Sequence, residues 1–214
     1  SALKNHKSYL IPLGALFRKE IDDIVKNNFT PTFSKNRKLK LLVRSSSEGR
    51  KGCDLFLSAL KIVNLKISDL RDRLEIYSIG DDYIAKSNIS HFINYKDLGF
   101  VDRSTLLSIY SNIDALVVPS REDSGPLMIN ECVASGVFVI STPVGVANDL
   151  IISDKVGIVA RAINQKAIAN SLLQFLETFK SKNISFVTQN CDYLTFEGYS
   201  AAIIELVSSI SVTN

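Results

Sequence analysis

The sequence is short of the residues and patterns that mark several classes of protein. Glycine and proline number only 10 and 5 in 214 residues, too few for a disordered or fibrous chain. No window approaches the roughly 18 consecutive apolar residues of a membrane span. The first residues do not resemble a signal peptide, and because no methionine precedes them we expect the chain to begin inside a longer protein. The composition is that of an ordinary globular domain.

Cysteine is scarce and widely spaced. The three cysteines, Cys53, Cys132 and Cys191, are an odd number and form no Cys-x-x-Cys pair. This pattern argues against a disulfide framework and against a zinc site, and it favours a reducing, cytoplasmic environment.

Positive charge is concentrated at the beginning of the chain. Residues 1–52 carry 12 Lys and Arg against 4 Asp and Glu, whereas the remainder carries 13 against 18. The basic segment is either a solvated surface or an attractor of anions, such as the phosphates of a nucleotide or an anionic membrane surface. Nucleic acid is a weaker interpretation, because no aromatic-rich basic motif accompanies the charge.

Short apolar runs alternate with amphipathic segments along most of the chain. This order predicts an α/β fold, a parallel sheet with helices on both faces. We expect strands at 8–13, where a turn follows at Gly14, and at 39–43, 74–79, 114–118, 137–140 and 156–159, with a further strand region within 91–101. We expect helices near 17–27, 55–63, 104–112, 127–135, 164–180 and 196–210.

The most informative stretch runs from residue 114 to residue 145. The run 114–118 is uncharged after its first residue, as a buried parallel strand should be. The carboxylates Glu122 and Asp123 follow in a polar turn, and Ser124-Gly125-Pro126 predicts a helix start with Pro126 at the first helical position. This acidic loop would lie at the carboxyl end of a strand, where open α/β sheets bind ligands.

The spacing of the acids suggests what kind of ligand. The start of the predicted helix offers unpaired N–H groups and the positive end of the helix dipole, which together suit a phosphate. Glu131 lies about one and a half turns into that helix, where its carboxylate could accept hydrogen bonds from ligand hydroxyls. A nucleoside diphosphate-sugar requires these groups. The simpler alternative is an ordinary Rossmann-like unit with solvated acids in a loop.

This stretch resembles the donor-binding signature of family 4 retaining glycosyltransferases of the GT-B fold. Pro119-Ser120 and the run Glu131–Gly136 match that signature, while Asp123 replaces the first of the family's two glutamates. The form Glu122-Asp123-x-x-Pro126 resembles a branch of the family that acts in cell-surface polysaccharide synthesis.

A second loop carries the resemblance further. It spans residues 44–50 after the first predicted strand, and Lys51-Gly52 follows it. In the family, a lysine in such a Lys-Gly pair contacts the donor diphosphate, and Arg50 suits a variant of the pattern. The family's arginine near the strand end has its counterpart in Arg44, displaced by two positions.

The resemblance implies a role for each residue. Lys51 and Arg50 would bind the diphosphate, Glu131 the ribose, and Asp123 hydroxyls of the transferred sugar. Asp123, Glu131 and Lys51 are the implied catalytic set. The remaining implied donor-binding residues are Arg50, Gly52, Phe100, Val101, Ser120, Gly125, Pro126, Leu127 and Gly145. Because no Asp-x-Asp motif occurs, we expect fixed cations and helix starts, and not a metal, to stabilise the departing phosphates.

The resemblance also predicts the organisation of the chain. Residues 39–180 would form the donor domain, 1–38 an interdomain segment and linker, and 181–214 helices that pack back toward a preceding acceptor domain. We expect the fragment to bind its donor without turning it over, and to need no cofactor beyond a UDP- or GDP-linked sugar. The predicted partners are this nucleotide-sugar and an acceptor glycan or glycolipid, with peripheral association at the inner face of the cell membrane.

Two other interpretations remain open. One is a noncatalytic nucleotide-sugar-binding or interaction domain on the same fold, because a fold alone does not fix an activity. The other is a GT-B-type epimerase that acts on a nucleotide-sugar without an acceptor.

Overall fold

The computed structural model describes residues 18–20, 22, 37–181 and 194–211. Residues 18–20 and 22 are helical, within the helix predicted for 17–27. The strand and turn predicted for 8–14, most of the linker predicted for 28–38 and the segment 182–193 lie outside the described residues.

Six parallel strands form a single sheet in the order β3-β2-β1-β4-β5-β6. The strands are β1 (Leu39–Ser45), β2 (Leu74–Gly80), β3 (Asn94–Asp97), β4 (Ala115–Val118), β5 (Phe138–Ser141) and β6 (Gly157–Val159). This is the doubly wound, Rossmann-like order, in which the direction of chain progression reverses between β1 and β4. The predicted α/β fold is confirmed.

Helices cover both faces of the sheet. They are α1 (Cys53–Lys66), α2 (Leu70–Arg73), α3 (Arg103–Tyr110), α4 (Leu127–Ala134), α5 (Ala147–Leu150), α6 (Gln165–Ser181) and α7 (Phe196–Ser211). The short helices α2 and α5 were not predicted, because four residues are too few to show a helical period. None of the helices in the described part of the chain has the length and apolar character needed to cross a membrane.

The strand predicted within 91–101 is shorter than expected. Two 3₁₀ turns, Ala85–Ser87 and Ile89–His91, occupy the approach to it, and Asn88 between them has a left-handed φ of 55°. Phe92 and Ile93 donate their N–H groups back to the Ile89 carbonyl, so pairing with β2 begins only at Asn94.

The alternation of side chains along the central strands separates two apolar layers. Leu41 and Val43 of β1 face a core shared with α1 and α6, whereas Leu42 faces the opposite core, shared with α3, α4 and α5. Strands β4 and β5 are buried along their whole length. Their continuous apolar sequence is what burial on both faces requires.

At the amino edge of the sheet, Asp114 joins β4 to β1. Its carboxylate accepts hydrogen bonds from the Lys40 N–H at 2.7 Å and from Arg37 Nη1 at 2.8 Å, and a second contact to Arg37 Nη2 makes the ion pair bidentate. Asp114 is buried while Arg37 is partly exposed. The charged residue that precedes β4 is therefore a structural anchor on the edge opposite the predicted site.

At the carboxyl edge, the loops that follow β1 and β4 touch through their backbones. Gly52, the N-cap of α1, has a left-handed φ of 66°, and a Cβ at this position would lie 2.0 Å from the Pro119 carbonyl oxygen. Only glycine combines that dihedral angle with that approach. The contact brings Lys51 beside the acidic loop that follows β4.

We predict that Asp114→Ala lowers the free energy of unfolding by about 2 to 3 kcal/mol, because it removes the carboxylate that binds the Arg37 guanidinium and the Lys40 N–H. Urea unfolding measures the loss. Asp69→Ala is the matched control, because Asp69 forms only an exposed ion pair with Arg73, worth about 0.5 kcal/mol or less. Equal effects of the two substitutions would contradict this account of Asp114.

We predict that Gly52→Ala lowers the free energy of unfolding by about 2 kcal/mol or more, since alanine must adopt a left-handed backbone against a carbonyl oxygen. Gly49→Ala is the control, because a Cβ there meets no atom within 4 Å, and we expect its effect to stay within about 0.5 kcal/mol. A fully tolerated Gly52→Ala would show that the two loops can separate without cost.

Candidate functional site

A cavity of about 220 Å³ opens at the carboxyl ends of β1 and β4. This is the point where the strand order reverses, the usual ligand position in such sheets. The lining side chains come from the end of β1, from β4 and from the first turn of α4. The lining residues are Arg44, Lys51, Leu116, Val117, Val118, Pro119, Ser120, Asp123, Gly125, Pro126, Leu127 and Met128.

Two cations line this cavity. The Nζ of Lys51 lies 2.6 Å from an oxygen of Asp123, and the two side chains are only 14% and 9% exposed. Arg44 is exposed near the end of a strand that is otherwise buried or half-buried. Our sequence reasoning left Arg44 outside the predicted site, although a charged residue at the end of a buried strand was the signal that could have identified it.

Arg121 connects the loop after β4 with the loop after β1. The N–H groups of Arg121 and Glu122 donate to the Arg50 carbonyl at 2.7 and 3.3 Å. The Arg121 guanidinium donates to the Gly49 carbonyl and forms a bidentate ion pair with Asp54 at the start of α1. Sequence reasoning missed this role, because nothing in the local pattern connects Arg121 with α1.

The predicted role of Arg50 is not supported by its position. Its side chain pairs with Glu48 at 2.7 Å, is about half exposed and does not line the cavity. Its carbonyl, and not its guanidinium, contributes to the site, as the acceptor that holds the loop after β4 in place.

The start of α4 faces the cavity. Pro126 is extended, with φ −67° and ψ 100°, and caps the helix one position before the first helical residue, Leu127. Our placement of Pro126 inside the first turn was therefore wrong by one residue, because its carbonyl accepts the Ile129 N–H while its own backbone stays extended. Leu127 and Met128 line the cavity, so the positive end of the helix points toward it.

The loop after β5 supports the acidic turn from behind. Gly145 has a φ of 50°, and a Cβ there would lie 2.7 Å from the Asp123 carbonyl oxygen. Thr142 donates its hydroxyl to the Ser120 carbonyl at 2.5 Å. Gly145 does not line the cavity, but its close approach fixes the backbone that carries Asp123.

Glu131 is buried on α4, only 3% exposed. The Tyr110 hydroxyl donates to its Oε2 at 2.6 Å, and Arg103 Nη1 lies 3.5 Å from its Oε1. Arg103 also forms a bidentate pair with Glu20, at 2.7 and 2.8 Å. The carboxylate is thus held from α3, a contact that no local sequence pattern indicated.

Burial raises the pKa of Glu131 above its ordinary value, while the Tyr110 hydroxyl and Arg103 oppose that rise. Burial also raises the pKa of Tyr110 well above its usual range, with the neighbouring Cys132 and Glu131 adding to the effect. Tyr110 therefore stays protonated at neutral pH, and it is the donor to the Glu131 carboxylate.

The loop predicted to border a base follows β3. Phe100 is 85% exposed, Val101 is half-buried, and neither lines the cavity. The Gly99 carbonyl accepts the Gly80 N–H at 2.8 Å, which places this loop at the same edge of the sheet as the cavity.

The structure thus divides the predicted site residues into two groups. Those that line one cavity are Lys51, Ser120, Asp123, Gly125, Pro126 and Leu127. Those that lie around it without lining it are Arg50, Gly52, Phe100, Val101, Glu131 and Gly145. Within the described ranges, no group of three or more His, Cys, Asp or Glu side chains could hold a metal ion.

Solved structures share this fold. Sucrose-phosphate synthase from Thermosynechococcus elongatus has a TM-score of 0.68 at 16% identity and matches 99% of this chain and 54% of its own. WaaG, a glycosyltransferase involved in lipopolysaccharide biosynthesis, has a TM-score of 0.67 at 18% identity and matches 92% and 55%. The chain thus spans about half the length of these glycosyltransferases of the GT-B fold.

Sequence comparison gives the family. An uncharacterized glycosyltransferase of Methanocaldococcus jannaschii is 25% identical over 127 residues, which are 59% of this chain and 35% of that protein. The family model described as glycosyl transferases group 1 matches residues 38–178, which include every strand of the sheet and the whole cavity. The chain belongs to the glycosyl transferases group 1 family.

Proposed function

We propose that this chain is the donor-binding part of a retaining glycosyltransferase, which transfers a hexose from a UDP- or GDP-linked sugar to an acceptor glycan or glycolipid. One observation carries the proposal: Lys51, Arg44 and the start of α4 converge on a single cavity at the point where the strand order reverses. Two cations and a helix start supply the positive charge and N–H donors that suit a diphosphate.

The same groups account for a chemical role. Negative charge builds on the diphosphate as the bond to the sugar breaks, and preorganised cations and N–H groups stabilise it without a metal. Lys51 is already held in place by Asp123, so little reorganisation is needed when the phosphates arrive. Arg44, from the end of β1, lines the same cavity.

Asp123 and Glu131 are the proposed acceptors for ligand hydroxyls. Asp123 lines the cavity beside Lys51, which suits an acceptor for the transferred sugar next to the diphosphate. Glu131 is the fifth residue of α4, a little more than one turn from the helix start, and this position suits an acceptor for the ribose hydroxyls. Arg50 enters the proposal only through its carbonyl, and Phe100 and Val101 as a border for the base.

Residues 39–180 are the proposed donor domain, and a preceding domain would bind the acceptor and complete the catalytic site. A role in cell-surface polysaccharide or glycolipid synthesis, at the cytoplasmic face of the membrane, is supported by the Glu122-Asp123-x-x-Pro126 form and by the structural similarity to WaaG. A noncatalytic binding domain remains the second candidate, because the chain spans only part of its relatives.

Calorimetric titration with UDP, GDP, ADP and their sugar conjugates tests the proposal. We expect one nucleotide to bind equally well with Mg²⁺ and with EDTA. Lys51→Ala should weaken that binding by roughly tenfold to a hundredfold, since a charge-assisted hydrogen bond contributes about 1.5–3 kcal/mol. Lys66→Ala, an exposed lysine in the last turn of α1, is the matched control.

Equal losses for Lys51→Ala and Lys66→Ala would indicate nonspecific attraction to a basic surface. Binding that requires Mg²⁺ would contradict the metal-independent mechanism. Transfer by the full-length protein, abolished by Lys51→Ala, would exclude the noncatalytic alternative.

A second prediction follows from the burial of Glu131. Its raised pKa means that the folded protein binds the proton more tightly than the unfolded chain, so stability falls as pH rises from the ordinary glutamate pKa of about 4.3 through the raised value. Glu131→Gln removes that penalty. We expect the variant to gain stability relative to the wild type as the pH rises above the ordinary glutamate pKa of about 4.3, while it loses affinity for the nucleotide.

Urea unfolding at several pH values measures this difference. Asp102→Asn is the control. Asp102 is exposed at the start of α3, and the Thr105 N–H lowers its pKa. The stability that Asp102 contributes is therefore lost as the pH falls, so its pH dependence has the opposite sign to that of Glu131. A stability difference for Glu131→Gln that does not change with pH would contradict the prediction.

A further inference from the structure

Tyr110 and Glu131 form a buried pair between α3 and α4. Tyr110 is fully buried and Glu131 is 3% exposed, and the phenol donates to Glu131 Oε2 at 2.6 Å. Around them the two helices contribute apolar residues to one core, among them Ile129, Cys132 and Val133. An ionisable carboxylate in such surroundings requires an explanation.

Stability does not supply that explanation. Removing a carboxylate from water costs several kcal/mol. One hydrogen bond with a neutral phenol and a 3.5 Å contact with the 44% exposed Arg103 offset only part of that cost. Apolar side chains of similar volume often stabilise such a position as well or better. The buried acid is therefore a candidate for binding a ligand, and Tyr110 for orienting the acid.

The direction of the Glu131 side chain relates it to the cavity. Side chains on a helix tilt toward its N-terminus and cover the residues three and four positions earlier. For Glu131 these residues are Met128 and Leu127, and both line the cavity. The carboxylate therefore belongs to the turn of α4 that adjoins the cavity-lining residues.

Its two oxygens are held by different groups of α3. Tyr110 contacts Oε2, and Arg103 Nη1 lies 3.5 Å from Oε1. Arg103 is itself fixed by its bidentate pair with Glu20. A carboxylate has about four lone-pair directions, so two contacts leave capacity on both oxygens. Two adjacent ligand hydroxyls could each find an acceptor.

We propose that Tyr110, assisted by Arg103, is a positioning residue that fixes the Glu131 carboxylate so that its oxygens accept the vicinal hydroxyls of the donor ribose. This inference rests on the proposed function and adds a specificity to it: the site distinguishes ribonucleotides from 2′-deoxyribonucleotides. Without the phenol, the carboxylate keeps the Arg103 contact on Oε1 but loses the Tyr110 donor that favours its ionised form.

The test combines a substitution in the Glu131–Tyr110 pair with the removal of one hydroxyl from the ligand. UDP and 2′-deoxy-UDP, or the corresponding pair for the base that binds best, are titrated into the wild type, Glu131→Gln and Tyr110→Phe. We expect the wild type to prefer the ribonucleotide. Both variants should lose about tenfold in affinity for the ribonucleotide and less for the 2′-deoxynucleotide, which keeps only the 3′-hydroxyl contact, so the ribose preference should shrink. If the role of Tyr110 were purely structural, Tyr110→Phe would lower the affinity for both nucleotides equally.

Two further variants make the comparison decisive. Tyr77→Phe is the matched control. The Tyr77 hydroxyl interacts with Glu75 on the same strand, and Tyr77 does not line the cavity. We expect this variant to keep the ribose preference of the wild type. Arg103→Met tests the second contact through a partly exposed residue, so it gives a result even where Tyr110→Phe is too unstable to titrate. We expect a partial loss of ribose preference.

The outcomes separate the two hypotheses. If the wild type binds no nucleotide, or Glu131→Gln leaves the ribose preference intact, the proposed role of Glu131 fails and this inference fails with it. If Glu131→Gln abolishes the preference while Tyr110→Phe and Arg103→Met retain it, the inference alone is overturned and the proposed function stands.

Discussion

The close approach of two backbones at the carboxyl edge determines where the charges of this site lie. Gly52 must be glycine to pass the Pro119 carbonyl, and the same approach places Lys51 within 2.6 Å of Asp123. Because the contact is between backbones, it does not depend on ligand. The cavity and its lysine are therefore formed by the packing of β1 beside β4, and a phosphate would enter a site that is already assembled.

The charges at this edge are balanced before any ligand binds. Lys51 is paired with Asp123, and Glu131 is held by Tyr110 and Arg103. Such pairing limits the cost of burying each charge. Under the proposed function, the ligand supplies a phosphate to Lys51 and hydroxyls to the two carboxylates.

The sequence predicted the sheet well, because buried parallel strands such as β4 and β5 are continuous apolar runs. It predicted β3 poorly, since turns centred on Asn88 interrupt the approach to that strand. In the site, the family resemblance pointed to Lys51 and Asp123, and the structure brings them together although they lie 72 residues apart. No motif pointed to Arg121 or Tyr110, which meet their partners 67 and 21 residues away only through tertiary packing.

The ion pairs at the amino and carboxyl edges of the sheet differ in what surrounds them. Asp114 binds Arg37 and the Lys40 N–H at the amino edge, where the ion pair joins two strands and lies outside the described cavity. Lys51 and Asp123 line the cavity at the carboxyl edge, where a ligand can replace one partner. A charge pair that only stabilises the fold can be closed to ligands, whereas one that binds must keep an exchangeable partner. Glu131 falls between these two kinds of charge pair. It is as buried as Asp114, but it lies on α4, whose first turn lines the cavity.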